Sequence, residues 1–208
     1  MEIVVENYTK IIKGNCVLNH INYKFFSGNI YGLYGKNGSG KTMLLRAIAG
    51  LIYPSQGKVM IDNKIVRKDI DFPENIGIMI ETPYFLPHYT GKQNLKLLMS
   101  IKGKIKEEDI TNVLSEVGLD PDDKRKVRKY SLGMKQRLGI AAAIMENPQI
   151  LLLDEPFNGI DEDSLDDVRR ILYKFRNDGK IVILACHDME ELQNLTDEIL
   201  RMKSGCIE

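Results

Sequence analysis

The sequence predicts an α/β fold with a parallel sheet, an antiparallel β layer near the N-terminus and a helical insertion in the middle. Two short apolar runs, QILLLDEP and KIVILACHD, are each followed by a helical pattern, which is typical of parallel strands covered on both faces. A third run, IYGLYG, leads through a glycine-rich loop into the helical pattern KTMLLRAIAGL. A long charged stretch separates these parts.

The antiparallel layer is predicted from the first third of the chain. SQGKVMIDNKIV indicates a hairpin that turns at Asp62-Asn63, because these residue types tolerate the left-handed backbone of tight turns. The run CVLNHINYKFF alternates as a strand does. In a regular strand, one side would consist of Val17, Asn19, Ile21, Tyr23 and Phe25.

The helical insertion is predicted between these two sheet-forming parts. A helix is expected from about Gly91, and the charged stretch from Lys104 to Lys129 contains an amphipathic segment and a solvated run. Ser131 is expected to cap a further helix that ends near Glu146. We therefore expect a single domain over residues 1–208, with the core at 1–80 and 149–208 and a helical subdomain at about 84–147.

Composition and residue patterns argue against several classes of protein. The chain has 29 basic and 29 acidic residues, which argues against a dedicated nucleic-acid binder. Its three cysteines form no Cys-x-x-Cys pair, so we expect reduced thiols, with Cys186 as a small buried residue. The N-terminus lacks the pattern of a signal peptide, and no apolar run reaches the roughly 20 residues of a membrane-spanning helix.

A glycine-rich stretch matches the phosphate-loop pattern G-x-x-x-x-G-K-[ST] in full. Its residues are Gly35, Lys36, Asn37, Gly38, Ser39, Gly40, Lys41 and Thr42. Glycines let backbone N–H groups converge on an anion, and the N-terminus of the following helix favours negative charge. Lys41 is expected to reach the β- and γ-phosphates and Thr42 to ligate Mg²⁺. The strand and helix on either side argue against a chance match and predict a P-loop NTPase core.

The apolar run ILLLDEP ends in two acids that suit the same chemistry. Asp154 is expected to hold Mg²⁺ through water, and Glu155 to polarise the water that attacks the γ-phosphate. A strand that ends in acids before a proline is common by itself. The upstream phosphate loop is what makes the catalytic interpretation specific.

The segment YSLGMKQRLGIAAAIMENP has an ordinary interpretation as a capped helix, and an exposed helix N-terminus is also an anion site. The segment resembles the signature sequence of ATP-binding cassette (ABC) ATPases. Ser131 and Gly133 are kept, whereas the first glycine and the terminal glutamine of that signature are replaced by Leu132 and Met134. The motifs also follow one another in the order typical of that family: the phosphate loop, the helical insertion, the signature, LLLDEP, NGID and a late histidine. The resemblance therefore covers nearly the whole chain.

The resemblance implies a mechanism that one chain cannot complete. In the family two cassettes sandwich two ATP molecules head to tail. Ser131 and Gly133 would then contact a γ-phosphate held by the partner copy, and Asp161 in NGID would communicate across the interface. His187, which follows the run KIVILAC, resembles the switch histidine that contacts the γ-phosphate and orients Glu155 and the water.

Three positions depart from the family pattern. Glu81 stands where most relatives have a glutamine that senses Mg²⁺, and we expect it to ligate the metal. A glutamate at this position resembles the exporters of antimicrobial peptides such as bacitracin and lantibiotics. Ile12 stands where an aromatic usually stacks on adenine, which predicts weak base selectivity, with Tyr8 as a nearby substitute. Met43 replaces a second hydroxyl near the α-phosphate, where its backbone amide remains.

These features identify the chain as resembling the ATP-hydrolysing subunit of a bacterial ABC exporter. The implied cofactors are ATP and Mg²⁺, and the implied partners are a second cassette, identical or paralogous, and a separate transmembrane subunit, with no nucleic acid. The chain would lie in the cytoplasm, peripherally on the inner face of the membrane. The region Glu81–Leu98 would be the surface that docks on the transmembrane subunit, or a simple loop packed on its own domain. Two alternatives stay open: a soluble cluster-assembly ATPase, and a slow nucleotide-gated regulatory subunit.

Overall fold

The computed structural model describes residues 1–102 and 106–208. Lys104, with which the predicted charged stretch begins, lies outside the described residues. The strands are β1 (Glu2–Ile12), β2 (Asn15–Phe26), β3 (Asn29–Tyr34), β4 (Gln56–Ile61), β5 (Lys64–Ile65), β6 (Ile76–Met79), β7 (Ile150–Asp154), β8 (Ile181–Cys186), β9 (Glu198–Lys203) and β10 (Cys206–Ile207). The helices are α1 (Lys41–Ile48), α2 (Gly91–Lys102), α3 (Glu107–Glu116), α4 (Leu132–Ile144), α5 (Glu162–Asn177) and α6 (Met189–Leu195).

The predicted α/β fold is confirmed. Its parallel sheet has the strand order β10-β9-β3-β8-β7-β6, in which only the β10–β9 pair is antiparallel. All residues of β7 and β8 are buried, because one apolar core covers each face of the sheet. The carboxyl ends of β3, β6, β7 and β8 therefore lie along one edge, which is where open α/β sheets bind ligands.

The antiparallel layer has the strand order β2-β1-β4-β5. Its β4–β5 hairpin turns at Asp62 and Asn63, which have φ angles of 45° and 67°, as predicted. The predicted alternation along β2 is only partly right. Ile21 and Phe25 of the predicted side are buried, but before them Leu18 is the buried residue, whereas Asn19 of that side is exposed.

A bulge explains this difference. His20 has a φ of 49°, and the pairing of β1 with β2 changes register between Tyr8–Ile21 and Lys10–Leu18. An extra residue in one strand reverses the faces of all residues beyond it. The side chains before His20 are therefore on the opposite faces from those that a regular strand predicts.

Helices α2, α3 and α4 lie between β6 and β7 in the sequence, and they pack against one another. Helix α4 lies close against the edge strand β6, since a Cβ on Gly77 would overlap the carbonyl of Ala143. Ser131 caps α4 as predicted, because its hydroxyl accepts a hydrogen bond from the Met134 amide at 3.1 Å. Among the described residues, no helix is both long and apolar enough to cross a membrane.

Candidate nucleotide-binding site

The glycine-rich loop between β3 and α1 forms the wall of a cavity of about 390 Å³. Gly35 allows the loop to fold tightly, because a Cβ there would collide with the Met202 carbonyl and the Ser39 hydroxyl. No side chain caps the N-terminus of α1. Its free N–H groups and the Lys41 ammonium, which donates to the Gly35 carbonyl at 2.6 Å, make the cavity suited to a phosphate. The Ser39 hydroxyl is buried and has no hydrogen-bond partner among the residues that the structure describes, so it is a further donor for such an anion.

Thr42 and Asp154 supply oxygen atoms at the floor of this cavity. The Thr42 hydroxyl donates to the Asp154 carboxylate at 2.7 Å. Burial raises the pKa of Asp154 above its usual value, and the hydrogen bond from Thr42 opposes that shift. A hydroxyl and a carboxylate side by side are oxygen ligands of the type that Mg²⁺ prefers. The donor set therefore fits the metal that accompanies nucleotide phosphates.

Glu155 lies directly beyond β7, at the centre of a small polar network. Its carboxylate is 2.7 Å from Nδ1 of His187 and 3.8 Å from Nζ of Lys41. Its backbone has a φ of 47°, and its amide donates to the Ala185 carbonyl at 2.8 Å. The sequence-predicted acid, histidine and lysine are thus brought together at the carboxyl ends of adjacent strands.

Gln136 holds Glu155 from the side of α4, and sequence reasoning missed it. The Gln136 amide donates to the Glu155 carbonyl at 2.8 Å, and its side chain is buried. The only sequence signal is a polar residue on the buried face of a helix that is otherwise rich in small and apolar residues. Gln136 therefore connects α4, whose N-terminus carries Ser131, to the backbone of Glu155.

Replacing Gln136 with leucine should lower turnover more than it lowers ATP affinity. The change removes the stronger donor to the Glu155 carbonyl and leaves only the longer bond from the Asn158 amide at 3.3 Å, at a cost of about 0.5–1.5 kcal/mol of stability. A shift of Glu155 by about 1 Å can cost up to about 10²-fold in rate. Steady-state ATPase assays and fluorescent-nucleotide titration would measure the two effects, with the exposed Gln193→Leu as control. A variant with unchanged kcat would contradict this positioning role.

Glu81 follows β6 with a φ of 63°. Its backbone hydrogen-bonds the Asp154 carboxylate. Its own carboxylate points to the surface and pairs with Arg46 of α1 at 2.7 Å. The structure therefore places Glu81 beside Asp154, but with its side chain held by a cation that sequence reasoning did not consider.

The residues predicted to lie near the base differ in their exposure. Ile12 is exposed at the end of β1 and does not line the phosphate-loop cavity, whereas Val17 and Met43 do. Tyr8 is only 1% exposed and donates to the Ile52 carbonyl, so it is not available to stack on a base. The bulge in β2 explains why Val17 was not recognised.

The signature residues lie apart from the phosphate-loop cavity. Ser131 is exposed at the tip of α4 and is not among the residues that line this cavity. Gly133 is buried, and a Cβ on it would collide with the Gly159 carbonyl. Asp161 caps α5 by accepting from the Ser164 amide at 3.0 Å. Hydrogen bonds from the Ser164 side chain and, second, from its amide hold the pKa of Asp161 below its usual value. The helix tip and the NGID loop therefore form one packed, exposed unit.

The fold and this geometry define a nucleotide-binding protein of the phosphate-loop class. The chain matches the ABC transporter family over residues 18–158 and belongs to that family. It is an ATP-binding, ATP-hydrolysing subunit of the family, and the resemblance found in the sequence is confirmed.

Similar proteins come from several bacteria. The chain is 48% identical to the uncharacterized ABC transporter ATP-binding protein YybJ of Bacillus subtilis (strain 168), covering 99% of this chain and 94% of the relative. It is 37% identical to the bacitracin transport ATP-binding protein BcrA of Enterococcus faecalis (99% and 68%) and 33% identical to the lantibiotic transport ATP-binding protein SrtF of Streptococcus pyogenes (94% and 84%).

The fold also matches solved cassettes. The dimeric structure of a post-hydrolysis state of the ATP-binding cassette MJ0796 bound to ADP and Pi superimposes with a TM-score of 0.87, at 25% identity, covering 99% of this chain and 96% of that chain. A second dimeric structure, of MJ0796 as a bacterial ABC transporter cassette, gives a TM-score of 0.88 at 26% identity, covering 99% and 96%.

Proposed function

We propose that the chain powers a bacterial exporter of antimicrobial peptides or drugs, as one cassette over residues 1–208 with its helical subdomain at about 84–147. The relatives BcrA and SrtF support this substrate class, since their names give bacitracin and lantibiotic transport. The cassette would act on a separate transmembrane subunit at the inner face of the membrane. Glu81 adds a sequence feature that resembles the same exporters.

One observation carries the proposal of a head-to-tail dimer. The phosphate loop, Asp154 and Glu155 line one cavity, but Ser131 of the same chain is exposed elsewhere at the tip of α4. A second copy would bring its own Ser131 and helix N-terminus over this cavity. The dimeric MJ0796 cassettes support this arrangement.

Each residue of the cavity has a role that follows from its contacts. Lys41, released from the Gly35 carbonyl, would bind the β- and γ-phosphates, and the α1 N-terminus would donate to them. Thr42 and Asp154 would hold Mg²⁺, with Glu81 as a further ligand. When bound, Mg²⁺ neutralises charge on the β- and γ-phosphates and orients them.

Glu155 is the residue that would accept a proton from the attacking water. His187 Nδ1, at 2.7 Å, fixes the orientation of this carboxylate, and the Lys41 ammonium lies 3.8 Å from it. The contact with His187 leaves the other ring nitrogen available for the γ-phosphate. His187 is more than half exposed, so a partner cassette would be needed to exclude solvent from this step.

Removing Arg46 should strengthen divalent-metal binding, because Arg46 competes for the Glu81 carboxylate. We expect Arg46→Gln to raise the Mn²⁺ affinity of the ATP-bound protein by about two- to fivefold, the scale of an exposed ion pair, and Glu81→Gln to lower it. Electron paramagnetic resonance of free Mn²⁺ would measure both, with Arg128→Gln as control. Equal Mn²⁺ affinity in wild type and Glu81→Gln would remove Glu81 from the ligand set.

Replacing Tyr84 with alanine should weaken association with the transmembrane subunit. Tyr84 is 89% exposed in the loop after β6, whereas its neighbour Phe85 packs against the core. An exposed aromatic of this kind suits a partner groove. Co-purification from membranes would measure the loss, nucleotide titration would show unchanged ATP binding, and Phe26→Ala on the antiparallel layer is the control. Loss of ATP binding in Tyr84→Ala would refute the docking role.

A further inference from the structure

Three side chains with different ligand atoms meet behind the cavity. Among the described residues, a carboxylate oxygen of Glu155, the Sγ of Cys186 and a ring nitrogen of His187 all lie within 4.8 Å of one another. The backbone brings them together, since Glu155 directly follows β7, Cys186 ends the adjacent strand β8 and His187 comes next. Cys186 has no part in the mechanism proposed above.

The chemistry of this trio differs from that of the Mg²⁺ ligands. Zn²⁺ and similar ions accept sulfur, imidazole and carboxylate ligands in tetrahedral sites, whereas Mg²⁺ prefers oxygen alone. Bond lengths of about 2.0–2.3 Å place tetrahedral ligand atoms roughly 3.5 Å apart. Glu155 and His187 now touch at 2.7 Å, so small side-chain rotations that part them and draw in the sulfur would complete three corners.

The surroundings of Cys186 also favour a cation. Glu155, Asp188 and Glu191 all act electrostatically on its thiol, and Glu191 is paired with Arg169. The Cys186 sulfur accepts a hydrogen bond from the Asp188 amide at 3.4 Å, and an ion that binds it would release the thiol proton to solvent. Because the trio includes sulfur and nitrogen ligands, an ion with strong affinity for thiolate would be selected over Mg²⁺.

We propose that Glu155, Cys186 and His187 form an inhibitory site for a thiophilic divalent cation of the zinc class. Binding would withdraw the catalytic acid and the switch histidine from the γ-phosphate, and so stop hydrolysis. The site itself stands on the geometry of the trio, whereas its inhibitory effect rests on the proposed roles of Glu155 and His187. The two parts are therefore tested separately.

Cobalt(II) absorption tests the site without nucleotide. The starting protein carries Cys16→Ser and Cys206→Ser, because these two free thiols are exposed or partly exposed. Added Co²⁺ should give a thiolate-to-metal charge-transfer band that Zn²⁺ abolishes. The band should be lost in the further variant Cys186→Ser, while His187→Ala, at an exposed position that does not disturb the core, should weaken Co²⁺ binding by about tenfold or more.

ATPase assays at buffered free Zn²⁺ and excess Mg²⁺–ATP test the inhibition. Zinc should inhibit the double-serine protein, and Cys186→Ser should need at least about tenfold more free Zn²⁺ for the same fractional loss. Absence of the cobalt band in the double-serine protein, or unchanged Co²⁺ affinity in His187→Ala, would overturn the site. A Cys186-dependent band with equal zinc inhibition in both proteins would overturn the inhibitory role alone. Loss of the proposed ATPase function would leave the cobalt result valid.

Discussion

Turnover of the Glu155→Gln variant should fall by about 10²–10⁴-fold, the usual contribution of a general base. Glutamine has almost the same shape as glutamate, and its carbonyl can still accept from His187, so the network around position 155 persists. It cannot accept the proton of the attacking water at neutral pH. ATP binding should be unaffected, because the phosphate loop and Asp154 are unchanged.

This variant should also accumulate as an ATP-bound dimer, since hydrolysis is the step that would open the sandwich. Light scattering after gel filtration with ATP and Mg²⁺ would show the change in mass, beside a phosphate-release assay. Glu74→Gln, an exposed acid distant in sequence from the site, is the matched control. Turnover close to that of wild type would assign the proton acceptor to another group, and a monomer at saturating ATP would argue against the sandwich.

The fold was predictable wherever the residue pattern is local. β7 and β8 are short, fully buried and, apart from Asp154, apolar, because an apolar core covers each face of the sheet. Short, uniformly apolar runs in the sequence predict this kind of strand. The hairpin at Asp62-Asn63 could also be predicted, because Asp and Asn favour the left-handed backbone conformation that both residues adopt there. The bulge at His20 was not, because histidine does not by itself signal a positive φ. The position of the bulge is determined by how β1 pairs with β2.

The same distinction separates the predicted from the missed site residues. A phosphate loop is encoded in eight successive residues, so its members could be named from the sequence alone. Gln136, Arg46 and Val17 reach the site only through tertiary packing: Gln136 through α4, Arg46 through its pair with Glu81, and Val17 through the bulged strand. No local sequence pattern specifies these tertiary contacts.

Ser131 offers the sharpest test of the shared site. Its hydroxyl caps α4, so an alanine would weaken the helix as well as remove a phosphate contact. Asparagine and aspartate cap helices as well as serine does, and an acid is favourable at a helix N-terminus. Gly133 is a poorer choice, because any Cβ there would collide with the NGID loop of its own chain.

We expect Ser131→Asp to fold with the stability of wild type and bind ATP as a monomer, but to lose about 10²-fold or more in turnover. This loss of rate is comparable to the effect of removing one hydrogen-bond donor to the transition state. In addition, the introduced carboxylate would face the γ-phosphate held by the other copy. Ser131→Asn keeps the cap without the charge and should retain more activity. Thermal denaturation, nucleotide titration and ATPase assays would separate these effects.

Combining this change with the trapping variant removes the dependence on hydrolysis. Glu155→Gln with Ser131→Asp should remain monomeric at ATP concentrations that make Glu155→Gln dimeric, whereas Glu155→Gln with Ser131→Asn should still dimerise. The repulsion operates only if Ser131 meets phosphate across the interface, since in its own chain it lies outside the phosphate-loop cavity. A stable ATP-bound dimer of the aspartate double variant would show that the serine-bearing helix tip does not close the partner's site.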